Sequence, residues 1–186
     1  MSLQPSQRAA ELAAFVQVLT ARGVRSYLEI GARYGQTFEA VGLAVAVPSV
    51  LVAVEQPGAQ WGRNDSWPVL LEVADRLRAH GHAVHIVKGD SHARETLEAV
   101  LAIRPQYDAV FIDADHTEQA VRQDWADYGS LGTVVGFHDI APEPHNVRIE
   151  VPRVWNEIAA QYPVLEFIDP SAPGMGIGVA FRDGST

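Results

Sequence analysis

Apolar residues follow two alternating spacings along this chain. Short, nearly continuous apolar runs predict buried strands. They lie at residues 27–30, 50–54, 83–87, 108–112, 133–137, 164–168 and 177–181. Apolar residues at helical spacing predict helices, several of which end at a glycine. These lie at residues 6–22, 37–45, 67–80, 93–103 and 117–125. The alternation of strands and helices predicts a parallel sheet with helices on both faces.

The C-terminal part of the chain departs from this alternation. Its last two predicted strands are joined by the segment DPSAPGMG, which leaves no room for a helix between them. Strands joined so closely must be antiparallel, because a parallel pair needs a longer crossover connection. We therefore predict an α/β fold: a three-layer, Rossmann-like, doubly wound sheet of seven strands, mostly parallel, with an antiparallel C-terminal strand.

Composition limits the kinds of protein that this chain can be. The 186 residues are 47% hydrophobic and 20% charged, which predicts a single globular domain over residues 1–186, with an N-terminal helix at about 6–22 and a sheet core at about 26–182. A net charge of -9 argues against a broad nucleic-acid surface and favours a small-molecule substrate. The absence of cysteine excludes disulfides and thiolate sites. With neither an apolar signal core nor a membrane-length apolar run, we expect a cytoplasmic protein without a membrane partner.

Acidic residues lie at the end of each of the first five predicted strands. They are Glu29, Glu55, Asp90, Asp113 and Asp139. The carboxyl ends of parallel strands share one edge, which is where open α/β sheets bind ligands. Helix capping explains one or two such residues but not five. In the first turn, Gly31 and Gly35 let backbone amides approach a ligand. A carboxylate beside such a turn suits positive charge or hydroxyl groups better than phosphate, which favours a sulfonium nucleoside.

Three stretches resemble a known family. EIGARYGQT resembles the first motif of class I S-adenosylmethionine-dependent methyltransferases, in the form found in catechol-type small-molecule O-methyltransferases. Arg33 departs only from the generic G-x-G-x-x-G motif. FIDADHTEQAVRQDW and GTVVGFHDI resemble the branch of cephalosporin-hydroxylase-like and sugar O-methyltransferase proteins. The resemblance covers residues 27–181 and implies S-adenosylmethionine as cofactor and a hydroxyl of a sugar or other metabolite as methyl acceptor.

The resemblance also implies which residues bind the cofactor. The methionine part and its ammonium would lie against Glu29, Gly31, Tyr34 and Gly35. Glu55 would accept both ribose hydroxyls, since one carboxylate can take two hydrogen bonds. Asp90 and Ser91 would meet the adenine. Asp113, which ends the fourth predicted strand, completes the predicted cofactor site.

Two versions of the acceptor chemistry stay open. Asp113, His138 and Asp139 occupy positions where related O-methyltransferases hold a divalent metal ion such as magnesium. His138 departs from the usual carboxylate, and hard cations prefer oxygen ligands. In the second version His116 removes the hydroxyl proton as general base, since histidine titrates near neutral pH, and Asp139 assists it.

Parts of the sequence also fit other functions. DADHT matches the D-x-D-x-T motif of haloacid-dehalogenase phosphatases, but it follows the fourth strand, and Lys88 is the only lysine available. A nicotinamide dehydrogenase fits Glu55 but not the first glycine turn or the antiparallel end. A methyltransferase fold that only binds a ligand remains open. A homodimer, in which a second subunit completes the acceptor pocket, is also expected.

Overall fold

The computed structural model describes residues 7–59, 65–142, 146, 148–171 and 174–185. Within them the strands are β1 (Ser26–Ile30), β2 (Val50–Glu55), β3 (Ala83–Lys88), β4 (Tyr107–Ile112), β5 (Gly132–His138), β6 (Val164–Phe167) and β7 (Ile177–Phe181). They form one seven-stranded sheet in the order β3-β2-β1-β4-β5-β7-β6. The first five strands pair in parallel, whereas β7 pairs antiparallel with both β5 and β6. Only β7 is therefore reversed, and the predicted fold class is confirmed.

The helices are α1 (Ala9–Ala21), α2 (Gln36–Ala44), α3 (Ser66–Ala79), α4 (Arg94–Ile103), α5 (Glu118–Tyr128) and α6 (Val151–Ala159). They cover the two faces of the sheet, and each face has its own apolar layer. One layer takes Phe15 of α1, Phe38 of α2 and Leu70 of α3, and the other takes Val100 of α4 and Trp155 of α6. Among the described residues, no helix has both the length and the apolar character needed to cross a bilayer.

Helix α6 has no counterpart in the sequence-based prediction. Its buried residues Val151, Val154, Trp155 and Ile158 do recur at helical spacing, but Pro152 in the first turn gives the segment the character of a loop. Proline is tolerated there because the first amides of a helix have no partner within the helix. The segment therefore forms a helix, which packs on the second face of the sheet.

The ends of β1 and β4 approach each other closely, which brings the predicted site residues together. Gly31 has a φ of 90°, and a Cβ on it would lie 2.3 Å from the Asp113 carbonyl oxygen. Only glycine allows this contact at that φ. The turn after β1 therefore lies directly against the end of β4.

Candidate active site

A cavity of about 320 Å³ opens along the carboxyl edge of β1 to β5. It collects nearly all of the predicted site residues: Glu29, Gly31, Glu55, Asp90, Ser91, Asp113, His116, His138 and Asp139. Tyr34 and Gly35 are not among its lining residues. The Tyr34 hydroxyl donates a hydrogen bond to Asp65, and Gly35 begins α2, with Leu70 and Val73 against its backbone.

Glu29 lies at the floor of the cavity, where other residues of the protein hold its carboxylate in place. Its carboxylate accepts a 2.6 Å hydrogen bond from the Tyr27 hydroxyl and another from the Phe38 backbone amide. Burial raises the pKa of Glu29 well above its usual value, although the hydrogen bond from Tyr27 opposes this effect. Glu29 therefore links β1 to the first turn of α2, beneath any ligand in the cavity.

Glu55 lies next to the turn that follows β1. Its Oε2 atom accepts a 2.8 Å hydrogen bond from the Arg33 backbone amide, and its Oε1 atom lies 3.4 Å from the Ser66 hydroxyl. Burial raises the pKa of Glu55, and the hydrogen bond from Arg33 opposes that rise. Each carboxylate oxygen has a second lone pair, so the side chain is still able to accept hydroxyl groups of a ligand.

The end of β3 is held by a buried carboxylate of α5. Asp90 accepts a 3.0 Å hydrogen bond from the His92 amide, which closes a turn. The His92 Nε2 atom lies 3.2 Å from Asp124, whose side chain is fully buried, and this contact raises the pKa of His92 to about 9. The Ser91 carbonyl accepts a 2.6 Å hydrogen bond from the Tyr128 hydroxyl, also of α5. Contacts with α5 therefore hold the turn that carries Asp90 and Ser91.

Two histidines and two aspartates form a compact network where β4 and β5 end. The His116 Nδ1 atom lies 2.7 Å from Asp139, and its Nε2 atom lies 3.4 Å from Asp113. The His138 Nδ1 atom lies 3.2 Å from Asp113 and 3.6 Å from Asp139. Asp139 has a φ of 59°, a left-handed conformation that is rare outside glycine, asparagine and aspartate. The chain thus turns sharply to point this carboxylate at His116.

The network raises the pKa of both histidines and so favours their charged form. Burial alone would lower the pKa of His116, but its contacts with Asp113 and Asp139 raise it to about 10. Burial also lowers the pKa of His138, but the attraction of Asp113, its hydrogen bond and the attraction of Asp139 together outweigh burial and raise this pKa. Asp113 is buried, yet the two imidazoles keep its pKa well below the usual range. The four side chains therefore behave as one coupled group.

The arrangement does not fit the divalent metal ion considered from the sequence. The structure brings Asp113, His138 and Asp139 together, but imidazole nitrogens point at the carboxylates and neutralise them. A protonated imidazole has no lone pair for a metal, and hard cations prefer a set of oxygen ligands. Across the described ranges, no group of three or more histidine, aspartate or glutamate side chains is arranged to hold a metal ion.

Several residues that line the cavity were not predicted from the sequence: Gln7, Arg33, His92, Ile149 and Met175. The Gln7 amide donates a 2.7 Å hydrogen bond to Asp113, across 106 positions of sequence. Met175 has a φ of 60°, and its carbonyl accepts a hydrogen bond from the Ala141 amide next to the β5 end. Such contacts depend on the tertiary fold, and no local motif signals them. Arg33 was visible only as a departure from the glycine motif.

The cavity fits the cofactor implied by the sequence. S-adenosylmethionine has ribose hydroxyls and an adenine amine, all of which donate hydrogen bonds, together with a positive sulfonium. The carboxylates of Glu55 and Asp90, at the ends of β2 and β3, can accept such hydrogen bonds. Other acidic residues line the same cavity and suit the positive sulfonium. The phosphatase alternative fits poorly, because Lys88 faces the Trp67 ring and is not among the residues lining the cavity.

Solved structures share this fold. An O-methyltransferase from Bacillus cereus in complex with SAH matches with a TM-score of 0.69 and 16% identity, over 95% of this chain and 84% of that chain. TomG, an O-methyltransferase from Streptomyces achromogenes involved in tomaymycin synthesis and solved with SAM, matches with a TM-score of 0.68 and 16% identity, over 95% and 81% of the two chains. At these identities the likeness concerns the fold.

A putative caffeoyl-CoA O-methyltransferase from Staphylococcus aureus gives a similar match, with a TM-score of 0.68, 17% identity, and coverage of 95% of this chain and 85% of that chain. No curated protein matches the sequence. The profile of the methyltransferase domain family matches residues 28–140, which is more than half of the chain and includes the strand ends that line the cavity. The chain therefore belongs to the methyltransferase domain family, and the class I methyltransferase predicted from its sequence is confirmed.

Proposed function

We propose that this protein transfers the methyl group of S-adenosylmethionine to a hydroxyl oxygen of a small molecule. One observation carries the proposal. A single cavity joins the Glu55 and Asp90 carboxylates, which suit a nucleoside, to the His116–Asp139 pair, which suits a hydroxyl. The sugar or other metabolite suggested by the sequence remains our expectation for the acceptor.

The cofactor, when bound, supplies an electrophilic methyl group on sulfur, so that one C–O bond forms as one C–S bond breaks and sulfur keeps the electron pair. The protein must align the acceptor oxygen and receive its proton. Asp139 orients the His116 ring through their 2.7 Å contact. With Nδ1–H directed at Asp139, the Nε2 atom is the one that receives the proton. Its 3.4 Å distance from Asp113 is long for a hydrogen bond, and Asp113 also accepts a hydrogen bond from Gln7.

His116 acts as general base only in its neutral form. With a pKa of about 10, most of the free protein carries His116 as an imidazolium at neutral pH. His116 would lose its proton more easily beside a positive sulfonium, because like charges repel and the pKa of His116 would fall. The neutral, catalytic form of His116 would therefore be favoured once the cofactor is bound.

The partner and location predicted from the sequence belong to this proposal. A small molecule is the expected substrate, because the protein is acidic and the cavity has the size of a small-molecule site. A cytoplasmic location and a homodimer remain predictions. Sedimentation of the purified protein tests whether it is a homodimer.

Calorimetry tests the proposed function most directly. We expect S-adenosylhomocysteine to bind, and neither NAD nor a phosphate analogue to compete with it. Release of S-adenosylhomocysteine from S-adenosylmethionine, measured over a panel of sugars, polyols and phenols, then identifies the acceptor. The absence of binding heat on folded protein would refute the proposal. Binding without turnover on any acceptor would favour a methyltransferase fold that only binds its ligand.

A further inference from the structure

We infer that Arg33 binds the carboxylate of the methionyl part of the cofactor. The inference rests on the proposed function, since it concerns the same cavity. It starts from an imbalance of charge. The residues that line the cavity include six carboxylates: Glu29, Glu55, Asp90, Asp113, Asp115 and Asp139. Among the described lining residues, Arg33 is the only lysine or arginine.

The other cations of the cavity are already neutralised. His92 faces Asp124 at 3.2 Å, His116 faces Asp139 at 2.7 Å, and His138 faces Asp113 at 3.2 Å. Arg33 differs from them, because in the described part of the chain its guanidinium forms no ion pair and its Nε atom is buried without a hydrogen-bond partner. A buried donor without a partner is costly, which indicates that a ligand group completes it.

The backbone of Arg33 gives an independent reason. Its φ is 48°, in the left-handed region that glycine adopts freely and other residues rarely adopt. Glycine at this position would remove the strain and would also complete the generic G-x-G motif. An arginine held in such a conformation suggests that its side chain has a function. Its guanidinium lies 5.5 Å from the centre of the Tyr34 ring, a contact that orients it.

The strand order places Arg33 where a methionyl group would lie. Along the edge, the end of β3 carries Asp90, β2 carries Glu55, and β4 and β5 carry the His116–Asp139 pair. The turn with Arg33 follows β1, between β2 and β4. A nucleoside on Glu55 whose methyl group points towards His116 has its amino-acid tail above β1. A carboxylate placed there among six acidic residues needs a cation, and a guanidinium binds a carboxylate through two parallel hydrogen bonds.

The test compares two ligands that differ only in this carboxylate: S-adenosylhomocysteine and its decarboxylated analogue. We expect calorimetry to show that wild-type protein binds S-adenosylhomocysteine roughly tenfold more tightly or better, the usual size of a charge-assisted hydrogen bond. In Arg33→Gln the two ligands should bind equally. Arg33→Lys should recover part of the preference, because lysine restores the positive charge but cannot form the two parallel hydrogen bonds of a guanidinium.

A second variant separates binding from folding. Arg33→Gly removes the side chain and the backbone strain together, so we expect an unchanged or higher melting temperature and the same loss of preference for the carboxylate. A preference that persists in Arg33→Gln would overturn the inference, as would an equal weakening of both ligands. An unchanged affinity for S-adenosylhomocysteine combined with a raised KM for a carboxylated acceptor would also overturn it. If wild-type protein binds neither ligand, the proposed function itself fails.

Discussion

The two halves of the cavity hold their carboxylates in different ways. In the cofactor half, formed by Glu55, Asp90 and Ser91, each carboxylate accepts a hydrogen bond from a nearby backbone amide: Glu55 from Arg33 and Asp90 from His92. In the acceptor half, formed by Asp113, His116, His138 and Asp139, the side chains contact one another. The cofactor half is thus a set of separate acceptors, and the acceptor half is one coupled network.

This difference predicts how each half responds to change. A carboxylate fixed by a backbone amide keeps its position when its neighbours are substituted, so substitutions in the cofactor half should alter affinity one residue at a time. Members of a coupled network change one another's charge and orientation. Substitutions in the acceptor half should therefore alter turnover and its pH dependence, with little effect on cofactor affinity.

The largest effect is expected for Asp139→Asn. Asparagine tolerates the left-handed backbone at this position but lacks the charge that orients His116. Turnover should fall by about 10²–10⁴-fold, the usual contribution of general acid–base catalysis. The affinity for S-adenosylhomocysteine, measured by calorimetry, should change little.

Asp183→Asn is the matched control, because this aspartate pairs with Arg22 and does not line the cavity. It should leave turnover unchanged. Full turnover in Asp139→Asn would show that the ends of β4 and β5 are not the acceptor site. A large loss of cofactor affinity in that variant would contradict the division into two halves.

The fold was predictable because its signals are local. Each predicted strand from 27–30 onwards corresponds to an observed strand, since buried parallel strands have nearly continuous apolar sequences. The short DPSAPGMG connection indicated the reversed strand β7. Helix α6 was missed because Pro152 and the polar residues between its buried positions obscured a helical spacing that only packing makes evident.

The candidate site was predictable only in part, and the two halves explain why. Acidic residues that end parallel strands must share an edge, so Glu55, Asp90, Asp113 and Asp139 could be grouped from the sequence. Which histidine contacts which aspartate within this group could not be predicted. That His116 faces two aspartates depends on the backbone turn at Asp139, and the contact of Gln7 with Asp113 joins residues 106 positions apart in the sequence.

The next effect concerns pH. Since kcat/KM for S-adenosylmethionine reports ionisations of the enzyme without cofactor, it should rise about tenfold per pH unit until the pH reaches the pKa of His116, about 10. Folding stability should change in the opposite direction. The pKa of His116 in the folded protein lies above its usual 6.5, so its stabilising contribution is complete below about pH 6.5 and is lost as the pH rises towards 10. His92, with a pKa of about 9, adds to this loss.

Rate profiles and thermal melts from pH 6 to 10 check both trends. In His116→Gln the rise in kcat/KM should disappear and the loss of stability should become smaller. His80→Gln, at an exposed histidine outside the cavity, should reproduce the wild-type curves. A kcat/KM that is flat across this range in the wild-type protein would show that His116 is not the base.

A smaller effect is expected for Glu55→Ala in the cofactor half. Loss of a charged acceptor for the ribose hydroxyls should weaken S-adenosylhomocysteine roughly tenfold, since 1.4 kcal/mol is a factor of ten. The rate at saturating cofactor should stay close to that of wild type. Glu39→Ala, at a glutamate that pairs with Arg76 and does not line the cavity, should bind normally. Unchanged affinity in Glu55→Ala would show that Glu55 serves only to hold the Arg33 amide.

The smallest effect is expected from chelation. The imidazole nitrogens of the acceptor half contact the aspartates and take the place that a metal ion would need. Turnover in excess EDTA should therefore equal turnover in magnesium, measured on the same acceptor. Asp113→Asn supplies a comparison, because it should slow turnover equally with and without the chelator. Loss of activity in EDTA, with recovery on addition of a divalent ion, would mean that the network opens to admit a metal. His138 would then be a ligand of that metal, because its buried Nε2 atom has no hydrogen-bond partner among the residues that the structure describes.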